Sequence, residues 1–172
     1  GLDTGDMLLH WRTAIGPHEI APELALRMAK EGATLLVDSL RQIENGSARR
    51  EKQNDAEASY APILKKEDGL IAWTRPAQEI YNRLRGFTPW PGAYTQFRGQ
   101  QLRVMRAVPH PHSLNAPIGA MQTDRRRLFV SCGADSTLEL LEVQMQGKKR
   151  RAAIDLLNGY PIAPNEKLGE NQ

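Results

Sequence analysis

The second half of the sequence constrains the fold most, because Gly and Pro interrupt it at short intervals and the stretches between them alternate polar with apolar residues. This alternation is typical of antiparallel strands that have one face on a core and the other in water. A short strand is also expected at Leu70–Trp73, after the Asp68-Gly69 turn signal. The five further strands that the pattern predicts are Ala93–Phe97, Gln101–Ala107, Ile118–Gln122, Leu128–Ser131 and Thr137–Val143.

Apolar residues recur near the helical period from Pro22 to Glu44, and the following Asn45-Gly46 is suited to a C-terminal cap. Gly32 interrupts this helix at a cost of about 1 kcal/mol relative to Ala, which indicates that something packs closely there. Shorter helices are predicted at Pro76–Gly86 and Ala152–Leu157. Five short strands with few helices favour a small, open Greek-key barrel of the oligonucleotide-binding type.

The first part of the chain has a different character. Asp6–Ile15 is predicted as a strand buried on both faces, as in a mostly parallel sheet. Ser47–Tyr60 is polar and almost without large apolar side chains, as expected of a linker. We therefore predict an α/β piece over residues 1–46, a linker over 47–64, and a mainly β domain with flanking helices over 65–172.

The net charge of +3 hides an uneven distribution. Residues 1–59 carry a net charge of −3, residues 60–151 carry +8, and residues 152–172 carry −2. A segment this basic favours a polyanionic partner, because Lys and Arg release condensed counterions from phosphates. The arginines on or between the candidate strands are either phosphate contacts or solvated surface residues, and they are Arg103, Arg106, Arg125, Arg126 and Arg127.

Several other classes of function find no support in the sequence. No apolar run approaches the roughly 20 residues of a spanning helix, and residues 1–6 do not resemble a secretory signal. The single Cys132 is compatible with a reducing cytoplasm. His110 and His112 have no third metal ligand nearby, so no metal site is expected. The chain begins without Met, and we expect it to be part of a longer protein.

The opening Gly1-Leu2-Asp3-Thr4-Gly5-Asp6-Met7-Leu8 is an acidic turn that runs into an apolar stretch. Taken alone, such a turn is usually a solvated loop or a cap. It also resembles the signature that closes the active site of folate-dependent formyltransferases, in which the Asp of a Leu-Asp-x-Gly piece is catalytic. The resemblance implies that Asp3 is that residue.

Further segments are similar to the methionyl-tRNA formyltransferase family. They are Tyr60–Trp73, Ile80–Thr95 with its Pro-Trp-Pro-Gly core, Leu138–Gln144, Gly147–Arg150 and Asp155–Gly159. The chain departs from the family at Ala72, where Asp is more usual. The resemblance covers nearly the whole chain in the family's order, and it implies the last part of the formyltransferase domain, a linker and a barrel domain.

The resemblance implies a reaction for the parent protein: transfer of a formyl group from 10-formyltetrahydrofolate to the α-amino group of methionyl-initiator tRNA, for translation initiation. The family's Asn and His partners and most of the folate site lie upstream of the matched region. This chain alone is therefore predicted to be inactive while it keeps tRNA-backbone binding. The resemblance also implies a cytoplasmic monomer without a metal or a membrane partner.

The family places basic residues that face tRNA at the mouth of the linker, where Lys65 and Lys66 stand. Lys148, Lys149 and Arg150 lie in a loop that matches the family, and phosphate contact or plain solvation is favoured over a nuclear address. Five aromatic residues are candidates for base stacking. For Trp73 and Trp90 core or interdomain packing is favoured; the others are Tyr94, Phe97 and Phe129.

Two other functions remain open at this point. One is a stand-alone nucleic-acid-binding module, which would bind strongly by itself, whereas an auxiliary domain would bind weakly and nonspecifically. The other is the C-terminal part of a related formyltransferase that acts on a sugar nucleotide. The Pro-Trp-Pro-Gly core and the +8 segment favour tRNA over a sugar nucleotide.

Overall fold

The computed structural model describes residues 4–124, 126–164 and 166–169 of the 172-residue chain. The chain divides into two compact units, Gly1–Ile63 and Leu64–Gln172, which we call unit 1 and unit 2. Among the described residues, no helix combines the length and the apolar character needed to cross a membrane. The predicted fold class, an α/β piece followed by a mainly β open-barrel domain with helices, is confirmed.

Unit 1 is dominated by helix α1, Ala21–Glu44, as predicted. The helix begins where the Glu23 carboxylate accepts a hydrogen bond of 3.0 Å from the Ile20 N–H, a contact that satisfies one of the unpaired donors at a helix start. It ends at Asn45, and Gly46 follows in the left-handed region with φ 73°. No residue of α1 is buried, and its exposed large apolar residues are Leu26, Met28, Leu36, Val37, Leu40 and Ile43.

Two expectations for unit 1 were wrong. The strand predicted at Asp6–Ile15 is reduced to a single bridge between Met7 and Glu51, with N–O distances of 2.8 and 2.9 Å. A strand needs a neighbour along its length, and in the described part of the chain Asp6–Ile15 finds one only at this point. Gly32 does not mark a close contact, because a Cβ placed there meets no described atom within 4 Å.

The described residues of unit 2 form an antiparallel sheet of six strands: β1 Ala93–Phe97, β2 Gln100–His110, β3 Met121–Asp124, β4 Arg127–Cys132, β5 Ser136–Met145 and β6 Arg151–Ala152. The strand order is β1-β2-β5-β4-β3, with β6 paired to β5. The helices are α2 Ala77–Gly86 and α3 Ala153–Leu157, and two short 3-10 helices span Asp55–Glu57 in unit 1 and Lys66–Gly69 in unit 2. Of the six strands predicted in this region, five are present, and both predicted helices are present.

Differences from the predicted strands have local causes. The strand predicted at Ile118–Gln122 begins only at Met121, because Gly119 turns with φ 81° and Ala120 bridges to Lys167. Leu70–Trp73 forms one bridge, from Leu70 to Tyr94, rather than a strand.

The core of unit 2 lies where α2 and α3 pack on the sheet. The fully buried large side chains include Phe97, Leu102, Leu138 and Leu156, and burial stabilises each by about 1.5–3 kcal/mol. Backbone approaches tightly at Gly133, whose N–H donates to the Trp73 carbonyl at 2.9 Å. A Cβ at Gly133 would lie 1.8 Å from a backbone carbonyl oxygen, so only Gly fits there.

Candidate nucleic-acid interface

Strand β2 places its cations on the side of the sheet away from the core. Leu102 and Val104 are buried, whereas Arg103 between them is half-buried and lies opposite Gln144 of β5. A bulge shifts the register between Val104 and Arg106, and Arg106 is exposed. Both predicted arginines of this strand therefore point away from the core.

Glu142 of β5 holds two of the predicted cations. Its Oε1 accepts a hydrogen bond from Nη1 of Arg106 at 2.9 Å, and its Oε2 pairs with Arg150. Partial burial opposes ionisation of Glu142, but the hydrogen bonds from Arg106 and Arg150 outweigh it and lower the pKa of the carboxyl. The group stays ionised near neutral pH, so the carboxylate compensates part of the positive charge of both arginines.

Arg127 is also paired. Its Nη2 lies 3.0 Å from Oδ2 of Asp124, and its Nη1 lies 4.0 Å from Oε2 of Glu139. Its guanidinium stands 5.0 Å from the ring centroid of Phe129, a cation–π contact. The neighbouring Arg126 is exposed and makes no ion pair with any described residue. Arg125 lies outside the described residues.

The three ion-paired arginines belong to one region of the sheet. Arg127 reaches Glu139, whereas Arg106 and Arg150 reach Glu142, and both glutamates lie on β5. The two glutamates are three residues apart on β5, a distance of about 10 Å along the strand, so the three arginines pair with carboxylates in one small area.

The predicted lysines are exposed and lie at two turns. Lys65 and Lys66 open the Lys66–Gly69 3-10 helix, which is fixed by a hydrogen bond of 2.7 Å from the Lys65 N–H to Oδ2 of Asp68. Lys148 and Lys149 follow β5 after Gly147, which has φ 70°. Within the described ranges, none of these four ammonium groups forms a salt bridge.

The predicted cations thus fall into two classes. Arg106, Arg127 and Arg150 already have carboxylate partners. The second class has no ion pair in the part of the chain that the structure describes, and we call it the unpaired cations: Lys65, Lys66, Arg103, Arg126, Lys148 and Lys149. A phosphate gains more from an unpaired cation, because a paired one must first give up its carboxylate or share it. Contact with RNA stays a prediction for every one of them.

Most of the aromatic residues are core. Trp73 is 5% exposed and donates its Nε1–H to Oγ1 of Thr95 at 3.0 Å. Phe97 and Phe129 are also buried, and Tyr94 is half-buried. Core packing is therefore confirmed for Trp73. Trp90 is 56% exposed and lies outside the core of unit 2, and interdomain packing, the other half of its prediction, stays a prediction.

The predicted catalytic Asp3 lies outside the described residues. The chain just after it lines an open groove of about 390 Å³ in unit 1, formed by Asp6, Leu8, Ile43, Gly46, Ala48 and Arg50. These residues alone do not enclose a folate, since the groove is open and a ligand of that size is usually largely surrounded.

In unit 2, a cavity lined in part by Ile71, Leu84 and Phe87 holds about 10 Å³, room for one water molecule.

The sequence did not predict a metal site. Among the described residues, no three His, Cys, Asp or Glu side chains are placed to share an ion. His110 and His112 instead stack edge to face, with ring centroids 5.5 Å apart. Cys132 is buried, and burial raises the pKa of its thiol to about 12.

Residues 63–161 match the family model of the formyl transferase C-terminal domain. The chain belongs to this family. Relatives named methionyl-tRNA formyltransferase include one from Solibacter usitatus, 51% identical over 99% of this chain, and one from Koribacter versatilis, 49% identical over 98%. The chain spans 54% of each of these relatives. The resemblance found from the sequence motifs is thereby confirmed.

Solved structures share the fold at low sequence identity. One is an N-formyltransferase from Helicobacter canadensis in complex with folinic acid and dTDP-3-aminofucose, with a TM-score of 0.63 at 16% identity. The match covers 84% of this chain and 52% of the Helicobacter canadensis chain. HypX from Aquifex aeolicus gives the same TM-score at 14% identity, and the match covers 90% of this chain and 28% of the HypX chain.

Sequence reasoning missed the carboxylates that organise the interface. Glu139 and Glu142 lie in the segment Leu138–Gln144 that is similar to the family, and the structure pairs them with three arginines. The signal was present, because acidic residues in one strand of an antiparallel pair are usual partners for basic residues in the next. The register needed to pair them was not available without the structure.

Proposed function

We propose that this chain is the C-terminal part of a methionyl-tRNA formyltransferase and that unit 2 holds the tRNA by its phosphate backbone. In this proposal the parent protein formylates the α-amino group of methionyl-initiator tRNA. The observation that carries it is the set of six unpaired cations on a domain whose relatives bear that enzyme's name. The parent acts as a monomer in the cytoplasm.

The boundaries proposed for the parent follow from composition and from the two units. Residues 1–46 end the catalytic domain, residues 47–64 form the linker, and residues 65–172 form the tRNA-binding domain. The exposed apolar residues of α1 support the first assignment, since Leu36, Leu40 and Ile43 repeat at helical spacing and remain exposed. We propose that this face packs on the upstream part of the catalytic domain.

The chemistry of the parent rests on few proton transfers. The α-amino group of an esterified methionine has a pKa of about 8 or lower, so a useful fraction is the free nucleophile near neutral pH. 10-Formyltetrahydrofolate supplies the formyl carbon when it is bound. In our proposal Asp3 orients the upstream Asn and His, which stabilise the oxyanion and move protons.

The charges of unit 2 fit a holding role. Phosphate contacts position a nucleic acid without reading its sequence, so unit 2 should bind other tRNAs almost as well as the initiator. Selection of the initiator and of the methionyl group then falls to the parent's upstream residues. A glutamate that stays ionised between Arg106 and Arg150 limits the local positive charge.

Two measurements on the 172-residue chain test this proposal. The first is binding of labelled initiator tRNA at low salt with an elongator tRNA as competitor, and we expect the two to compete within about threefold, as phosphate contact requires. The second is formylation of methionyl-tRNA by the chain alone, and we expect no turnover above background. Strong preference for the initiator, or turnover, would contradict the proposal, and tighter binding of a dTDP-sugar than of tRNA would favour the sugar-nucleotide alternative.

A further inference from the structure

Trp90 is the exception among the large aromatic residues of unit 2. It is 56% exposed, whereas Trp73, Phe97 and Phe129 are at most 5% exposed. The turn that carries it is held at both ends: Oγ1 of Thr88 donates to the Leu84 carbonyl at 2.8 Å, and the Gly92 N–H donates to the Phe87 carbonyl at 2.9 Å. The indole is therefore presented from a fixed turn.

One of the unpaired cations contacts this turn, and two others stand at the start of the short helix whose last residue packs on it. The Arg103 guanidinium lies against Gly92, because a Cβ placed on Gly92 would be 2.7 Å from Nη2 of Arg103. The Gly92 carbonyl in turn abuts Gly69, where a Cβ would be 2.1 Å from that oxygen. Gly69 ends the 3-10 helix that begins at Lys66, and three residues of such a helix rise roughly 6 Å. We call this place the Gly69–Gly92 corner.

Trp90 stands two residues before Gly92, within about 7 Å along the chain. The corner thus combines an exposed aromatic side chain with Arg103, Lys65 and Lys66. An apolar protein surface docked on the indole would desolvate these cations without giving them partners, which is costly. A single-stranded nucleic acid offers both complements, since a base has a π-face and the flanking phosphates are anions.

We propose that Trp90 is a stacking platform for an unpaired base of the RNA, with Arg103 and the two lysines on the adjacent phosphates. This inference rests on the proposed function and names a contact that phosphate binding alone does not require. The two kinds of contact respond differently to salt. Stacking depends little on ionic strength, whereas each phosphate contact changes the salt slope.

The test compares a fluorescein-labelled oligoadenylate of about 12 nucleotides with an RNA duplex of the same length, both bound to the full 172-residue chain. We expect Trp90→Ala to weaken single-strand binding by roughly 5- to 150-fold, the range of one lost stack. The salt slope and the duplex affinity should stay within experimental error. Trp90→Phe keeps a ring and should restore affinity to within about threefold of the wild type.

Two controls separate stacking from damage to the fold. Tyr60→Ala removes another aromatic side chain, 89% exposed and outside unit 2, and should leave single-strand binding unchanged. Tryptophan emission of the wild type should be quenched by saturating oligoadenylate, and Trp90→Phe should abolish that quenching. Thermal melting of each variant should match the wild type.

The outcomes distinguish this inference from the proposed function. If the wild type binds both RNAs but Trp90→Ala binds the single strand within twofold of the wild type, stacking is refuted while backbone binding stands. An equal loss on both RNAs would also refute stacking. If the wild type binds neither RNA, the proposed function fails, and the inference fails with it.

Discussion

Arg126 and Arg127 are adjacent in sequence and differ in one respect that decides their expected effect on RNA binding. Arg127 contacts Asp124 and Glu139, whereas Arg126 has no carboxylate partner among the described residues. Removing the charge of Arg126 should therefore cost a phosphate contact. Removing the charge of Arg127 should cost little, because its charge is already largely compensated.

The magnitude follows from counterion release. Six unpaired cations, each on one phosphate, give a slope of log K against log salt of about −4.2 to −5.4. Raising the salt from 50 to 200 mM should then weaken tRNA binding about 340- to 1,800-fold. Arg126→Gln should make the slope shallower by roughly 0.7–0.9 and weaken binding about five- to eightfold at 0.1 M salt.

The assay is fluorescence anisotropy of labelled tRNA with wild type, Arg126→Gln and Arg127→Gln at four or more salt concentrations. Arg127→Gln should change the slope by less than about 0.3. Thermal melting checks that Arg127→Gln is folded, since Arg127 also packs on Phe129. An equal or larger slope change for Arg127→Gln, or no change for Arg126→Gln, would refute the division into paired and unpaired cations.

Three predictions concern stability and reactivity. Burial opposes ionisation of Glu142, but the hydrogen bonds from its two arginines lower the pKa of the carboxyl, and the pKa of Glu166 is lowered chiefly by its hydrogen bond from Arg98. Both ionised carboxylates therefore stabilise the fold above the ordinary Glu pKa of about 4.3. This stabilisation is lost as the pH falls through their pKa values in the folded protein. The double variant Glu142→Gln, Glu166→Gln should have a lower free energy of unfolding than the wild type at pH 7, and this difference should shrink below about pH 4. A difference that does not depend on pH would contradict this. Gly133→Ala should destabilise unit 2 by about 1–3 kcal/mol or more in urea unfolding, because the added Cβ meets backbone atoms. Gly32→Ala, at an open position of α1, should instead raise the helix content measured by circular dichroism. A stable Gly133→Ala beside a destabilised Gly32→Ala would contradict the close approach at Gly133. Cys132 should resist a thiol reagent in the folded chain and react on unfolding, and fast labelling of the native protein would contradict its burial and raised pKa.

Most strands and both helices of unit 2 could be predicted because their signals are local. Alternation over Ala93–Phe97 and the apolar stripe of α2 each report one element's own burial. Strand β6 escaped prediction, since two residues carry no period. Asp6–Ile15 was predicted as a strand from apolar content alone, and apolar content does not say whether a pairing partner is in reach.

The candidate interface could be predicted in composition but not in arrangement. Lys65, Lys66 and the basic segment were visible as charge. The pairing of Arg106 with Glu142 depends on the register between β2 and β5, and a bulge after Val104 shifts that register. The exposure of Trp90 depends on the fold of its turn, which its sequence motif did not reveal.

Lysine acetylation footprinting with and without initiator tRNA tests most directly the claim that unit 2 holds RNA by its unpaired cations. Lys65, Lys66, Lys148 and Lys149 are exposed and should be protected by bound tRNA at low salt. The exposed lysines of unit 1, at positions 30 and 52, serve as internal controls and should be modified equally in both samples. Protection confined to these two controls, or no protection anywhere at saturating tRNA, would contradict the account.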